Sequence, residues 1–281
     1  MIYDLLIIFA GSLSAGLIGS ITGLGGGVIL VPLLTLGFGV DIRYAVGTSL
    51  ISVIATSSGA ASSYLRQGLL NIRIGMFLEI ATTIGAICGA SVALFAPTYA
   101  IAIIFGLVLI YSAISSFIQR NSEEYSDSQI IKSEKRIRYL FRSEGSYKIG
   151  SKTYKYPVKN MGGGFAVMWL AGILSGLLGI GSGALKVIAL DKVMKLPFKV
   201  STSTSNFMIG VTAAASAGIY LRRGYIDPVL SMPVILGVLI GSFLGAAVLL
   251  KAKTRFVRVL FSIVITLLAL EMIYNGIMKA I

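Results

Sequence analysis

Lys186 stands three residues past Gly179-Ile180-Gly181-Ser182-Gly183, inside a stretch from Gly162 to Leu190 that carries no other charge. An ammonium in an apolar segment is costly to desolvate, and it persists there because a partner or a function holds it. Three roles fit: neutralising an anionic solute, pairing with Asp191, or snorkelling to an interface. Glu79 is the sole charge between Ile74 and Phe117; it could take up a proton that drives transport, or stand as a hydrogen-bonded structural carboxyl. Thr48-Ser49 and Thr204-Ser205-Asn206 lie near the starts of long apolar runs. Their hydroxyls and amide can donate to an oxyanion without the desolvation cost of a full charge, or they cap and back-bond helices.

The glycines near these groups matter as much. Gly23-Leu24-Gly25-Gly26-Gly27 interrupts an apolar run, and each glycine costs a helix interior ~1 kcal/mol relative to alanine. In hydrocarbon, an opened helix persists only where protein, water or a ligand satisfies its backbone. A helix starting after Gly27 or Gly183 directs unpaired N–H groups and partial positive charge at the break, which favours an oxyanion over a metal cation. Gly25, Gly26, Gly27, Gly181, Ser182 and Gly183 therefore join the candidate substrate groups. Gly85/Gly89 and Gly241/Gly245, each spaced by four, read instead as small-residue helix packing. Arg66 and Arg222 close long helices, with Asn71 and Asp227 in matched positions beyond them; the arginines either anchor helix ends at headgroup level or form vestibules that draw anions in. Glu271 lies near a helix end, at the interface.

The elements that must position these residues are transmembrane helices. The chain is 56% hydrophobic and 12% charged, against about 25% charged in soluble domains. It reads as an all-α polytopic membrane protein, multi-pass in the cell (plasma) membrane, with its first apolar segment a retained span. Apolar segments fall at 2–21, 26–38, 44–65, 74–95 and 98–118, then 162–179, 184–198, 203–221, 229–250 and 257–277. The net charge of +13 lies between these segments, so it speaks for topology and lipid headgroups rather than nucleic acid. The chain has no histidine and a single cysteine, Cys88, which removes intrachain disulfides, thiolate clusters and histidine-based metal or catalytic sites. With no phosphate-cradling loop either, the sequence argues against an enzyme or a primary pump, and implies no cofactor and no metal.

Shifting the chain against itself by 156 residues explains the two sets of segments. Gly23, Gly25 and Gly27 meet Gly179, Gly181 and Gly183; Thr48-Ser49 meets Thr204-Ser205; Tyr64-Leu65-Arg66-Gln67-Gly68 meets Tyr220-Leu221-Arg222-Arg223-Gly224; Gly85 and Gly89 meet Gly241 and Gly245. The halves, 1–118 and 161–281, flank a basic polar linker at 119–160, where a short amphipathic helix is expected near Ile130–Phe141. Internal repeats with broken helices in matched positions mark secondary transporters, with the solute held between the halves. Five crossings per half place the linker and the cluster Lys251, Lys253, Arg255 and Arg258 on the cytoplasmic side and invert the halves; re-entrant 26–38 and 184–198 make them parallel instead.

With these motifs in view, the sequence resembles the TauE/SafE family of membrane permeases, also called the sulfite exporter family. The resemblance rests on GLGGG at Gly23–Gly27 with Val31-Pro32 after it, GTSL at Gly47–Leu50, and the looser repeats GIGSG and STSN. It implies a permease for small sulfur oxyanions or organosulfonates such as sulfite or sulfoacetate, most often an exporter. The family pattern falls on Gly25–Gly27, Pro32, Thr48, Ser49, Gly181, Gly183, Thr204 and Ser205. Ser182 replaces a glycine, Lys186 adds a charge, and the second half lacks a counterpart of Pro32. The expected partners are a small anion and the lipid bilayer, and the expected mechanism moves one half against the other around the breaks. An anion channel or a non-transport accessory subunit is the competing reading.

Overall fold

The structure is a computed structural model that describes residues 2–22, 25–66, 70–118, 144–149, 152–249 and 254–278. The first half comprises α1 (Ile2–Thr22), α2 (Gly27–Pro32), α3 (Ile42–Arg66), α4 (Ile72–Ala93) and α5 (Thr98–Ile118). The second half repeats them as α6 (Met161–Leu178), α7 (Gly183–Ile188), α8 (Phe198–Arg222), α9 (Pro228–Leu249) and α10 (Thr254–Met278). Windows long and apolar enough to cross a membrane lie at Ile42–Ser62, Ile72–Ala93, Met161–Leu178 and Pro228–Ala247.

The apolar body is all-α. The linker holds an antiparallel hairpin, β1 (Glu144–Ile149) and β2 (Lys152–Pro157), with Glu144 opposite Pro157. The helix expected near Ile130–Phe141 lies outside the described residues. Alternating tyrosines and polar side chains, as in Tyr147, Lys148, Thr153 and Tyr154, carry the strand signal. Tyr156 is buried, and its hydroxyl accepts from Asn71 Nδ2 at 2.7 Å. Burial holds its phenol above the ordinary tyrosine range, opposed by that hydrogen bond.

Both short helices continue into one π-helical turn, Leu33–Gly37 after α2 and Ala189–Val193 after α7. These turns occupy corresponding positions, 156 residues apart, although only the first follows a proline. Pro32 is therefore not required for the switch. Each run of α2 or α7 with its π turn rises about 1.5 Å per residue, roughly half of the ~30 Å hydrocarbon thickness.

Glycine positions the long helices. A Cβ added at Gly85 would lie 2.3 Å from the Trp169 carbonyl oxygen, and one at Gly89 would lie 2.0 Å from that of Ile173. In the matched seam, Gly241 faces the Leu13 carbonyl at 2.1 Å and Gly245 that of Leu17 at 2.4 Å. The α4/α6 and α1/α9 seams are thus backbone against backbone, the packing expected for these glycines. Within each seam the two helices run parallel, since both partners advance by four residues. Matched helices run the other way: Gly106 of α5 faces Ala269 and Ile273 of α10, while Gly276 of α10 faces Ala102 and Ile103. Large apolar side chains such as Ile80, Ile84 and Leu236 face outward, and Cys88 is exposed. Serine and threonine fill much of the interior.

Candidate functional site

Lys186 leaves α7 one turn after the second break and is fully buried, so it does not snorkel. Its Nζ donates a short hydrogen bond to Thr212 Oγ1 on α8. Thr212 Oγ1 lies 2.5 Å from Glu79 Oε1, within donating distance. Glu79 Oε2 sits 4.0 Å from Lys186 Nζ. Asp191 instead pairs with Lys192 at 3.7 Å. The two intramembrane charges that the sequence leaves unassigned therefore face each other, one from each half, with a threonine bridging them. Glu79 is 4% exposed, and Thr83 Oγ1 adds a longer bond to Oε1 at 3.4 Å.

Part of this cluster is not satisfied. Glu79 Oε2 and Ser182 Oγ are buried with no hydrogen-bond partner among the described residues. An ammonium has three donors, and Lys186 spends one on Thr212. Ser182 lies one turn before Lys186, whose backbone N–H donates to the Ser182 carbonyl at 3.1 Å. Its φ of +46° is left-handed, a conformation that costs a residue with a side chain.

The breaks themselves are in contact. A Cβ on Gly27 would lie 2.6 Å from Ser49 Oγ and 2.8 Å from the Gly179 carbonyl oxygen. Gly25 (φ +78°) packs on Ile209, and Gly181 (φ +69°) on Ile209 and Val53, two residues in matched positions. Gly26 has ordinary helical angles and packs near Ala15 and Thr56; Gly23 and Leu24 lie outside the described residues. Ser49 Oγ donates to the Gly179 carbonyl at 2.8 Å, Ser205 Oγ to the Gly183 carbonyl at 3.3 Å, and Asn206 Nδ2 to the Ser20 carbonyl at 3.1 Å. These three side chains tie opened backbone together, as exposed carbonyls in an apolar interior require. Thr48 Oγ1 lies 3.4 Å from Ser231 Oγ, and Thr204 Oγ1 accepts the Asn71 N–H at 3.1 Å. Gly183 begins α7 and is buried.

The outlying candidates separate from this centre. Arg222 is exposed in the last turn of α8, and Arg66 ends α3, its side chain outside the described residues. Asn71 caps α4 by accepting the Ile74 N–H, and Asp227 accepts the Val229 N–H at the start of α9. The tyrosine of the repeated YLR motif is buried in both halves. Tyr64 OH donates to the Ser20 carbonyl at 2.9 Å, and Tyr220 OH to that of Gly176 at 3.3 Å, positions 156 residues apart. Sequence reasoning passes over Thr212, yet the signal is there: its repeat partner is Thr56. The partners of Lys186 and Glu79 are Leu30 and Ile235, so the charged bridge exists once.

A family model described as "Sulfite exporter TauE/SafE" matches residues 8–272. Among curated proteins, the chain is 28% identical over 272 residues to "Probable membrane transporter protein YunE" of Bacillus subtilis (strain 168), covering 94% of this chain and 96% of that protein. It is 29% identical over 232 residues to "Probable membrane transporter protein YdhB" of the same organism, covering 82% and 84%. It is also 24% identical over 273 residues to "Probable membrane transporter protein MJ0441" of Methanocaldococcus jannaschii, covering 92% and 91%. No solved structure matches. A polytopic helical body with matched broken helices, and a family match running almost end to end, lead to one conclusion: the chain is a membrane transporter protein that belongs to the sulfite exporter TauE/SafE family.

Proposed function

We propose that the protein is a secondary transporter of small sulfur oxyanions or organosulfonates, sulfite and sulfoacetate among them, acting in the cell membrane by alternating access around its two helix breaks. The observation that carries this reading is Lys186: a fully buried ammonium beside a break, with donors unspent and Ser182 one turn away. Such a group suits a small oxyanion, to which it offers charge and hydrogen bonds together. The family description supplies the sulfur chemistry. Export as the direction rests on the same family description.

Solute flux into liposomes holding the purified full chain tests the reading. Saturating sulfite or sulfonate flux with counterflow supports a carrier. An unsaturating conductance overturns the carrier in favour of a channel, and no flux of any anion, chloride and sulfate included, overturns transport altogether. The antiparallel run of matched helices favours inverted halves. In a Cys88→Ser background, cysteines in the 119–160 linker and near residue 253 are expected to label from the cytoplasm, and one at residue 280 from outside. Labelling of all three from one side overturns inversion.

A further inference from the structure

We propose that Glu79 is a built-in competitor for the transported anion: it occupies Lys186 in the empty carrier, and on anion binding it is released and protonated, so that each monoanion travels with one proton. This rests on the reading that the solute binds at Lys186.

The geometry is that of a pair made to separate. Nζ and Oε2 stand 4.0 Å apart, beyond the ~2.7–2.9 Å of a charge-assisted hydrogen bond. Contact runs through the Thr212 hydroxyl instead. Among the described residues, Oε2 has no hydrogen bond, and neither has Ser182 Oγ. Helical side chains lean toward the N-terminus of their helix, which brings the lysine back over the turn that holds Ser182. A small oxyanion lodged there would take the unspent donors of Lys186 and the Ser182 hydroxyl, groups that Glu79 leaves unmet.

One ammonium neutralises one negative charge. With an anion on Lys186, the Glu79 carboxylate is left uncompensated in an apolar interior, where a carboxyl protonates rather than stay charged. Among the described residues, the elements around Glu79 offer no replacement cation. α6, packed along α4, has no ionisable side chain; α7 has Lys186 alone; and α8 has Lys199, Tyr220 and Arg222 only toward its ends. Asp191 and Lys192, beyond α7, pair with each other. On α4 itself, Arg73 is exposed at the helix start, six positions before Glu79, and Cys88 is exposed; Thr83 donates to Glu79 Oε1 and Thr82 to the Glu79 carbonyl. The step adds one proton to the carboxylate and moves one anion from water to the ammonium, and no other bond changes.

Methanesulfonate is the probe, because its charge does not titrate near neutral pH. In proteoliposomes holding the full chain and a luminal pH indicator, with the potential clamped, an inward methanesulfonate gradient is expected to acidify the lumen, and an imposed inward proton gradient to speed uptake. Glu79→Gln, which removes the competitor, is expected to bind methanesulfonate about tenfold more tightly, as freeing a site occupied about nine-tenths of the time predicts. Its counterflow is expected to persist without proton movement. Methanesulfonate flux through the wild-type protein without any pH change overturns the proposal and leaves the transport reading intact, whether or not the variant folds. Proton flux in Glu79→Gln equal to wild type also overturns it. Absence of all anion flux in wild type overturns both.

Discussion

Replacing Lys186 by methionine keeps most of the stem and removes the ammonium, which makes the Lys186–Glu79 pair a measurable quantity. At the observed 4.0 Å, two unit charges attract by about 4 kcal/mol at an effective dielectric constant of ~20. Uncharged polar contacts between membrane helices average only ~0.6 kcal/mol and reach about 1.7, because the unfolded chain finds other partners. The expected coupling lies between these bounds, at about 3 kcal/mol. Lys186→Met alone is expected to cost about 3–5 kcal/mol at neutral pH, since Glu79 must then take up a proton where a carboxyl is ordinarily ionised, and Glu79→Gln alone a comparable amount. The double variant is expected to cost about 3 kcal/mol less than the sum of the singles. Unfolding in mixed micelles, followed by the fluorescence of the chain's single tryptophan, Trp169 on α6, reads all four proteins. A double-variant cost equal to the sum of the singles within about 0.5 kcal/mol would show that the charges do not cooperate, and the site as drawn would be wrong.

Other outcomes follow from the same structure. Gly89→Ala is expected to abolish the monodisperse fold in size-exclusion chromatography, because its Cβ meets the Ile173 carbonyl at 2.0 Å; Gly218→Ala, with nothing within 4 Å, is expected to raise the melting temperature slightly. Ser182→Gly is expected to stabilise the protein by about 1 kcal/mol by relieving its positive φ, while Ser182→Ala does not; both are expected to weaken anion binding in calorimetry. Tyr156→Phe is expected to cost about 1 kcal/mol through loss of the Asn71 bond. Because the Tyr156 phenol is held above its unfolded value, its stabilising contribution is complete below the ordinary tyrosine range and is lost as the pH rises through the folded value. Alkaline melts of wild type should therefore fall more steeply than those of Tyr156→Phe.

The repeat was the most legible part of the chain. Shifting by 156 residues aligns not only motifs but contacts: Gly85 on Trp169 with Gly241 on Leu13, and Tyr64 on Ser20 with Tyr220 on Gly176. Helix periodicity was not needed, since long apolar runs define the spans. What sequence could not supply was which buried groups share a neighbour. Glu79 and Lys186 are 107 positions apart in different halves, and their meeting depends on the seam that carries α4 against the second half. Nor could it reveal that Ser49, Ser205 and Asn206 would be spent on backbone carbonyls: a hydroxyl in a sequence looks equally able to hold a solute or a strand of opened chain. The hairpin's signal, a few alternating tyrosines, is faint beside the linker's polar, charged residues and contains no apolar run.

The glycine seams also decide what can move. Each joins a helix of one half to a helix of the other, α1 to α9 and α4 to α6, with main chain close on main chain and, at Gly237 and Gly245, only the small side chains of Ser12 and Ser20 beside it. Sliding such a joint by even one residue would drive a side chain into a carbonyl. If the protein works by alternating access, blocks that combine helices of both repeats are the expected rigid parts. Relative movement is then expected at the crossing of α3 and α8, where Val53 and Ile209 pack on Gly181 beside the breaks. A disulfide staple across either glycine joint should leave turnover intact, whereas one locking α3 to α8 should stop it.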